Sequence, residues 1–230
     1  MYDIIFISYH EPYADENFDN LKTRFPLAKR VHGIVGIHQA HIAAARKSFT
    51  KMFWVVDADA VIMNDFKFDH EVSEWDLDVV HVWRSLNPIN NLSYGYGGVK
   101  LLPKKLTIQM DTSSMDMTTN ISTKFKAMDT ISNITAFNTD AYSTWRSAFR
   151  ECCKLAVINN KESLSRLYVW CQLNAHAPFG DHAYMGAIAG RLYGEKNASS
   201  PEALSKINDF TWLQDLWLAE RSQLSPEHIL

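Results

Sequence analysis

One stretch constrains the fold of this chain more than any other: Met52-Phe53-Trp54-Val55-Val56 runs directly into Asp57-Ala58-Asp59 and on to Ala60-Val61-Ile62. Five large, β-prone residues in a row leave no polar face. The strand they form is therefore covered on both sides, as in a parallel sheet with helices above and below. The residues before it repeat the theme. Residues 2–8 read as another buried strand, 15–24 as a helix stopped by Pro26, 28–33 as a short strand and 38–49 as an alanine-rich helix. Strand, helix, strand, helix, strand within about sixty residues is the pattern of a doubly wound α/β half. Right-handed crossovers put the ends of such strands on one edge, where these sheets take their ligands.

Further along, residues 78–102 turn β-rich and Pro103 closes them. Residues 107–130 are polar, with Asp111-Thr112-Ser113-Ser114 expected as a mobile loop, and 131–137 return to strand. Tyr142, Trp145, Phe149, Cys152 and Ala156 are spaced 3, 4, 3 and 4, while Arg146, Arg150 and Lys154 follow another face, which predicts an amphipathic helix. Asn138-Thr139-Asp140 supplies its N-cap. Further helices are expected over 162–173, from near Asp181 with Gly186 and Gly190 allowing close packing, and over 201–221 with Leu204, Ile207, Leu213, Leu216 and Trp217 inward. The expectation is an α/β fold: an open twisted mixed sheet flanked by helices, with a helical C-terminal part, in a single domain.

Composition removes several classes. The 230 residues carry a net charge of −3, which argues against a generally basic nucleic-acid coat. The three cysteines, Cys152, Cys153 and Cys171, are odd in number, lack C-x-x-C spacing and sit in apolar helical patterns, so they suggest neither a disulfide framework nor a zinc site. The N-terminus is too short and too acidic for a signal peptide, and no run approaches the roughly 20 apolar residues a membrane span needs. A cytoplasmic protein without membrane contact is expected. The N-x-S/T tripeptides at Asn91, Asn120, Asn133 and Asn197 are then coincidental.

The chemistry points to Asp57 and Asp59. At i and i+2 in extended chain they share a face, roughly 7 Å apart. Two hard carboxylates at a strand end suit Mn²⁺ or Mg²⁺, which would bridge a diphosphate and offset the charge growing on a departing nucleotide. Phe53-Trp54-Val55-Val56-Asp57-Ala58-Asp59-Ala60-Val61-Ile62 resembles the D-x-D segment of GT-A (Rossmann-like) glycosyltransferases. Residues 5–11 are similar to the first strand of that family, the helix reaching Arg46 to the one preceding its D-x-D, and Tyr94-Gly95-Tyr96-Gly97-Gly98 to a glycine-rich strand approached closely by substrate. Asp3-Ile4-Ile5-Phe6-Ile7-Ser8-Tyr9 with Glu11-Pro12, Val80-His81-Val82-Trp83-Arg84-Ser85 and Ser132-Asn133-Ile134-Thr135 resemble glycosyltransferase-like proteins of large tailed bacteriophages.

The resemblance to these glycosyltransferases implies a division of labour along the chain. Residues 1–102 form a nucleotide-sugar-binding half, 103–180 an acceptor and catalytic half, and 181–230 the C-terminal helices of one GT-A-like domain. It implies that Ser8, Tyr9 and Glu11 line the nucleotide pocket, that Arg46 contacts diphosphate or sugar, and that Asp57 with Ala58 lies against the donor. Asp57 and Asp59 would hold the metal, with His182 as a further ligand. Asp140 or Asp181 would be the general base. Trp83, Arg84 and Lys100 would meet the acceptor. The implied donor is a nucleotide sugar, UDP-linked by preference, and a natural acceptor is a hydroxymethylated pyrimidine in phage DNA. The alternatives are a glycan or protein acceptor, a nucleotidyltransferase and a non-catalytic binding protein. Against the nucleotidyltransferase, Ser8-Tyr9-His10-Glu11-Pro12 has no glycine where a phosphate-binding loop belongs.

Overall fold

The structure is a computed structural model that describes residues 1–95, 97–112 and 117–224, with side chains to residue 221. Tyr96 and Ser113-Ser114, which carry part of the glycine-rich stretch and of the expected loop, lie outside the described residues. The chain divides into two compact units, Met1–Asn87 with Ser93–Ala136, and Pro88–Leu92 with Phe137–Leu230. The division falls just after the last strand of the sheet.

The first unit is the sheet unit. Its elements are β1 (Asp3–Ser8), α1 (Ala14–Arg24), β2 (Lys29–His32), α2 (Ile37–Lys47), β3 (Met52–Asp57), β4 (Ala60–Ile62), β5 (Val80–Leu86), β6 (Ser93–Tyr94), β7 (Val99–Pro103), α3 (Lys104–Gln109), α4 (Met117–Ile121) and β8 (Phe125–Thr135). The strand order is β2-β1-β3-β7-β5-β8-β4, with β6 on β5. β1 pairs parallel with β2 and β3, whereas β7 runs antiparallel to both β3 and β5. The β-rich stretch 93–102 is thus two strands, β6 and β7, on opposite sides of the glycines.

Alternation along β3 builds two cores from one strand. Met52, Trp54 and Val56 join Ile4, Phe6, Trp83 and Leu101 on one face of the sheet. Phe53 and Val55 join Ile5, Val82 and Leu102 on the other, covered by Ala44 and Ala45 of α2. Complete burial on both faces is what an unbroken apolar run demands.

The second unit is helical: α5 (Ala141–Ile158), α6 (Lys161–Trp170), α7 (Gly180–Asn197), α8 (Pro201–Ser205), a 3₁₀ turn at Lys206–Asn208 and α9 (Phe210–Leu224). Trp145, Phe149, Cys152 and Ala156 of α5 are buried, as their spacing predicts. Gly186, Gly190 and Gly194 of α7 lie one helical turn apart against the carbonyl oxygens of Trp145, Phe149 and Cys153, so a methyl group at any of them would strike backbone. The expected helix over 201–221 is broken at Asp209, whose carboxylate accepts from the Thr211 and Trp212 amides at 3.0 and 3.1 Å and caps α9 instead.

This is the α/β architecture the sequence predicts, a mixed open sheet with flanking helices and a helical C-terminal part, consistent with a GT-A-like fold. Among the described residues no helix is long and apolar enough to cross a membrane.

Candidate functional site

Because β1, β2 and β3 are parallel, their last residues, Ser8, His32 and Asp57, come to one edge of the sheet. Asp57 closes β3, and Ala58 and Asp59 form a turn into β4. The two acids therefore do not alternate along extended chain as expected, because Ala60 must begin antiparallel pairing with β8. Backbone contacts pin the turn on several sides. Asp57 donates its amide to Gly98 at 2.9 Å, Ala136 donates to the Asp59 carbonyl at 2.7 Å, and Asn17 of α1 donates to the Ala58 carbonyl at 2.8 Å. Ala58 is buried in the core, so what it presents is backbone.

The charge at this turn is unbalanced. Burial pushes the Asp59 carboxyl up to about 7, with the neighbouring charges of Asp57 and Glu11 adding to the shift and Lys100 opposing it. Burial also raises Asp57, again opposed by Lys100. Lys100 is thus the cation that acts on both carboxyls. Its ammonium donates to both oxygens of Asp57, at 2.9 and 2.8 Å, and to the Gly97 carbonyl. The Lys100 side chain is 4% exposed and that of Asp57 34%. Lys100, expected at the acceptor, is instead a buried partner of the D-x-D. A lysine between Val99 and Leu101-Leu102 in an apolar strand must find an anion, and which anion is set by the neighbouring strand.

Behind the turn lies a buried polar network that the sequence pattern does not assign to the site. Ser85 and Ser132 donate to Asn133 Oδ1 at 2.9 and 2.8 Å, and Asn133 Nδ2 reaches Thr135 at 3.4 Å. Gly98 packs on that amide, and a methyl there would sit 2.7 Å from Nδ2. Asn133 is wholly buried, so its N-x-T context offers nothing for glycosylation.

At the ends of β1 and β2, Arg30 donates to Ser8 Oγ at 2.8 Å, and Ser8 Oγ lies 2.9 Å from His32 Nδ1. The Ser8 hydroxyl is thereby held, and Arg30 and His32 enter the same edge unforeseen. Glu11 accepts from the Tyr9 amide at 2.7 Å, which fixes the loop and leaves the Tyr9 ring exposed.

Two expectations need correction. Arg46 sits in the last turn of α2, and the loop after it is tied by the Phe49 and Thr50 amides to Asp3, the first residue of β1. A crossover helix returns the chain to the start of the sheet, so Arg46 lies at the edge opposite Asp57. Trp83 is buried, packed 4.5 Å from Trp54 and beside Phe66, and has no free face for an acceptor. Arg84 is exposed and paired with Asp129 at 3.0 Å.

In the helical unit, Asp140 caps α5. It accepts from the Ser143 amide at 2.8 Å, the Ser143 hydroxyl at 2.7 Å and Thr139 at 3.2 Å. Burial acts to raise its carboxyl, but these bonds together hold it below the ordinary range. Asp181 accepts from His182 Nδ1 at 2.8 Å; against the upward pull of burial, that bond holds Asp181 low as well.

No protein-family model matches the chain, and no curated protein matches it. Among the solved structures similar to the chain, two match at low identity. HddC from Yersinia pseudotuberculosis is 14% identical with a TM-score of 0.38, covering 57% of this chain and 92% of its own. The mannosyltransferase PcManGT from Pyrobaculum calidifontis, in complex with GDP-Man and Mn²⁺, is 13% identical with a TM-score of 0.44, covering 98% of this chain and 81% of its own.

Proposed function

We propose that this chain is a glycosyltransferase that moves a sugar from a nucleoside diphosphate donor to a hydroxyl acceptor with the help of a divalent cation. The observation that carries the reading is the charge imbalance at the end of β3. Burial raises the Asp59 and Asp57 carboxyls, the charge of Glu11 adds to both shifts and that of Asp57 to the shift of Asp59, and Lys100 opposes both. Such a turn gains from a further cation. The residues fit Mg²⁺ or Mn²⁺ bound jointly with substrate: two carboxylates are offered, and among the described residues no cluster of three or more His, Cys, Asp or Glu could hold an ion alone. When bound, the ion would act as a Lewis acid on the diphosphate leaving group.

The chain's own residues divide the remaining work. Asp59 presents the less neutralised carboxylate, and the Asn17 and Ala136 hydrogen bonds hold its turn rigid. The exposed Tyr9 ring, on a loop fixed by Glu11, suits stacking on a base, with UDP the first donor nucleotide to try. In the helical unit, Asp181 fixes the His182 tautomer with hydrogen on Nδ1. That leaves Nε2 with a lone pair able to take a proton or meet a metal. Against the upward pull of burial, Asp140 has its oxygens engaged by capping donors, which hold its carboxyl low. The phage-like segments make a hydroxymethylated pyrimidine in DNA the first acceptor to assay, with a glycan hydroxyl as comparison.

Calorimetric titration of UDP, then of other nucleoside diphosphates, with and without Mn²⁺, tests the reading on the parent and on Asp59→Ala. Metal-dependent binding should appear in the parent and weaken roughly 100-fold or more in the variant, about 2.7 kcal/mol. No binding of any nucleotide with metal present would sink it.

A further inference from the structure

Val55 and Lys100 are antiparallel partners, so their side chains share a face of the sheet, and Asp57, two residues beyond Val55, continues that face. The same face is covered by α2, through Ala44 and Ala45, and His41 of α2 is buried there. The Lys100 ammonium is held by three acceptors, both oxygens of Asp57 and the carbonyl of Gly97. Gly97 has a φ of +78°, a conformation glycine adopts without strain. Asp57 thus gives both oxygens to a resident cation, in the place where a divalent ion would need at least one. His41 supplies the complementary feature. Its Nδ1–H donates to the Ile37 carbonyl at 2.8 Å, which leaves Nε2 a bare acceptor, and that atom is buried without a partner. The charge of Lys100 is also among the causes that keep the His41 ring neutral, second to burial. A buried acceptor without a donor, on the lysine's side of the sheet, gives the ammonium a second place to go.

We propose that Lys100 is a tethered counter-ion of the D-x-D turn: it occupies Asp57 until a divalent cation displaces it, and its displacement limits metal affinity. This rests on the metal-binding reading of Asp57 and Asp59 and gives Lys100 a role in metal affinity that the reading itself does not assign. Removing a positive charge a few ångströms from the ion's place should tighten metal binding by roughly tenfold or more.

The test is Mn²⁺ titration in the presence of UDP, followed by electron paramagnetic resonance, on the parent, Lys100→Met and Asp59→Asn. Tighter Mn²⁺ binding in Lys100→Met than in the parent, lost in Asp59→Asn, is the expected result. Equal or weaker binding in Lys100→Met, with the parent binding, overturns the counter-ion proposal and leaves the metal-dependent reading standing. Binding by Lys100→Met but not by the parent removes metal dependence from the native protein and overturns displacement of Lys100 in it. No binding by either removes both. Should Lys100→Met fail to fold, the parent answers alone: acylation of Lys100 by acetic anhydride, read by mass spectrometry, should quicken severalfold when Mg²⁺ is added. An unchanged or slower rate at saturating Mg²⁺ overturns the proposal.

Discussion

The two units bury different things. Among the described residues, the sheet unit buries Ser8, His41, Ser48, His81, Ser85, Asn87, Lys100, Thr107, Ser132, Asn133 and Thr135, whereas the helical unit buries only Thr144 and Ser163 as polar side chains. Thr144 donates to the Asp140 carbonyl at 2.6 Å, and Ser163 completes a capping box with Asn160. Both therefore serve the ends of their own helices. In the sheet unit, Ser85, Lys100, Ser132 and Asn133 serve no helix end. They converge behind or upon one turn. Buried polarity costs stability unless it is bonded, so a unit that retains it beyond local capping needs is organised around something other than packing. The helical unit shows the opposite economy: glycines at the α5–α7 contact and aromatic rings such as Trp145, Phe149 and Trp217 in its core.

The largest effect should come from the helical unit. Gly190→Val forces a branched side chain onto the Phe149 carbonyl and should cost about 3 kcal/mol or more in urea unfolding. A loss under 1 kcal/mol would mean that α5 and α7 are not held by close approach.

The next prediction concerns the sheet unit's stability. Asp59 titrates at about 7 in the folded chain against 3.8 ordinarily, so folding favours its protonated form. The parent should lose stability as pH rises from about 4 through 7, the range in which the unfolded chain has already released this proton. Asp59→Asn lacks that slope. The variant should match the parent below about pH 4 and exceed it by about 1–2 kcal/mol at pH 8, allowing for partial solvent screening of the carboxyl. A variant less stable than the parent at pH 8 would contradict the idea of an under-neutralised turn.

Asp140→Ala should cost about 1 kcal/mol through loss of a helix cap, while Asp140→Asn should retain most of that stability. If Asp140→Asn keeps stability but abolishes turnover, the residue is a base as well as a cap, and the contrast between the units weakens. Arg84→Ala should be smallest, under about 0.5 kcal/mol, since its pair with Asp129 is exposed. Unchanged nucleotide binding in that variant would keep Arg84 outside the donor site.

The sequence was most readable where burial is complete. β1, β3 and α5 follow from apolar runs or from the spacing of Trp145, Phe149, Cys152 and Ala156, because a side chain with one possible environment leaves a regular trace. It was least readable where a neighbour decides. β8 begins at Phe125, six residues before the expected Ile131, yet its first seven residues are largely exposed and carry no periodic signal. They are strand because β5 offers backbone partners from Val80 onward. The site divides in the same way. Asp57 and Asp59 were visible as acids after an apolar strand. The role of Lys100 required knowing that β7 lies beside β3, a pairing of residues 45 apart for Val55 and Lys100.

By itself, then, the sequence determined which segments are buried, which helices carry an apolar face, and that two carboxylates end the central strand. Those properties depend on local side-chain chemistry and periodicity. The tertiary structure alone decided that Asp57 faces a lysine rather than water, that Arg46 returns to the far edge of the sheet, that Trp83 is core, and that Asp59 stands under-neutralised. Each depends on strand order and on which residues a register brings opposite one another. Electrostatic free energy follows distance in space and not separation along the chain.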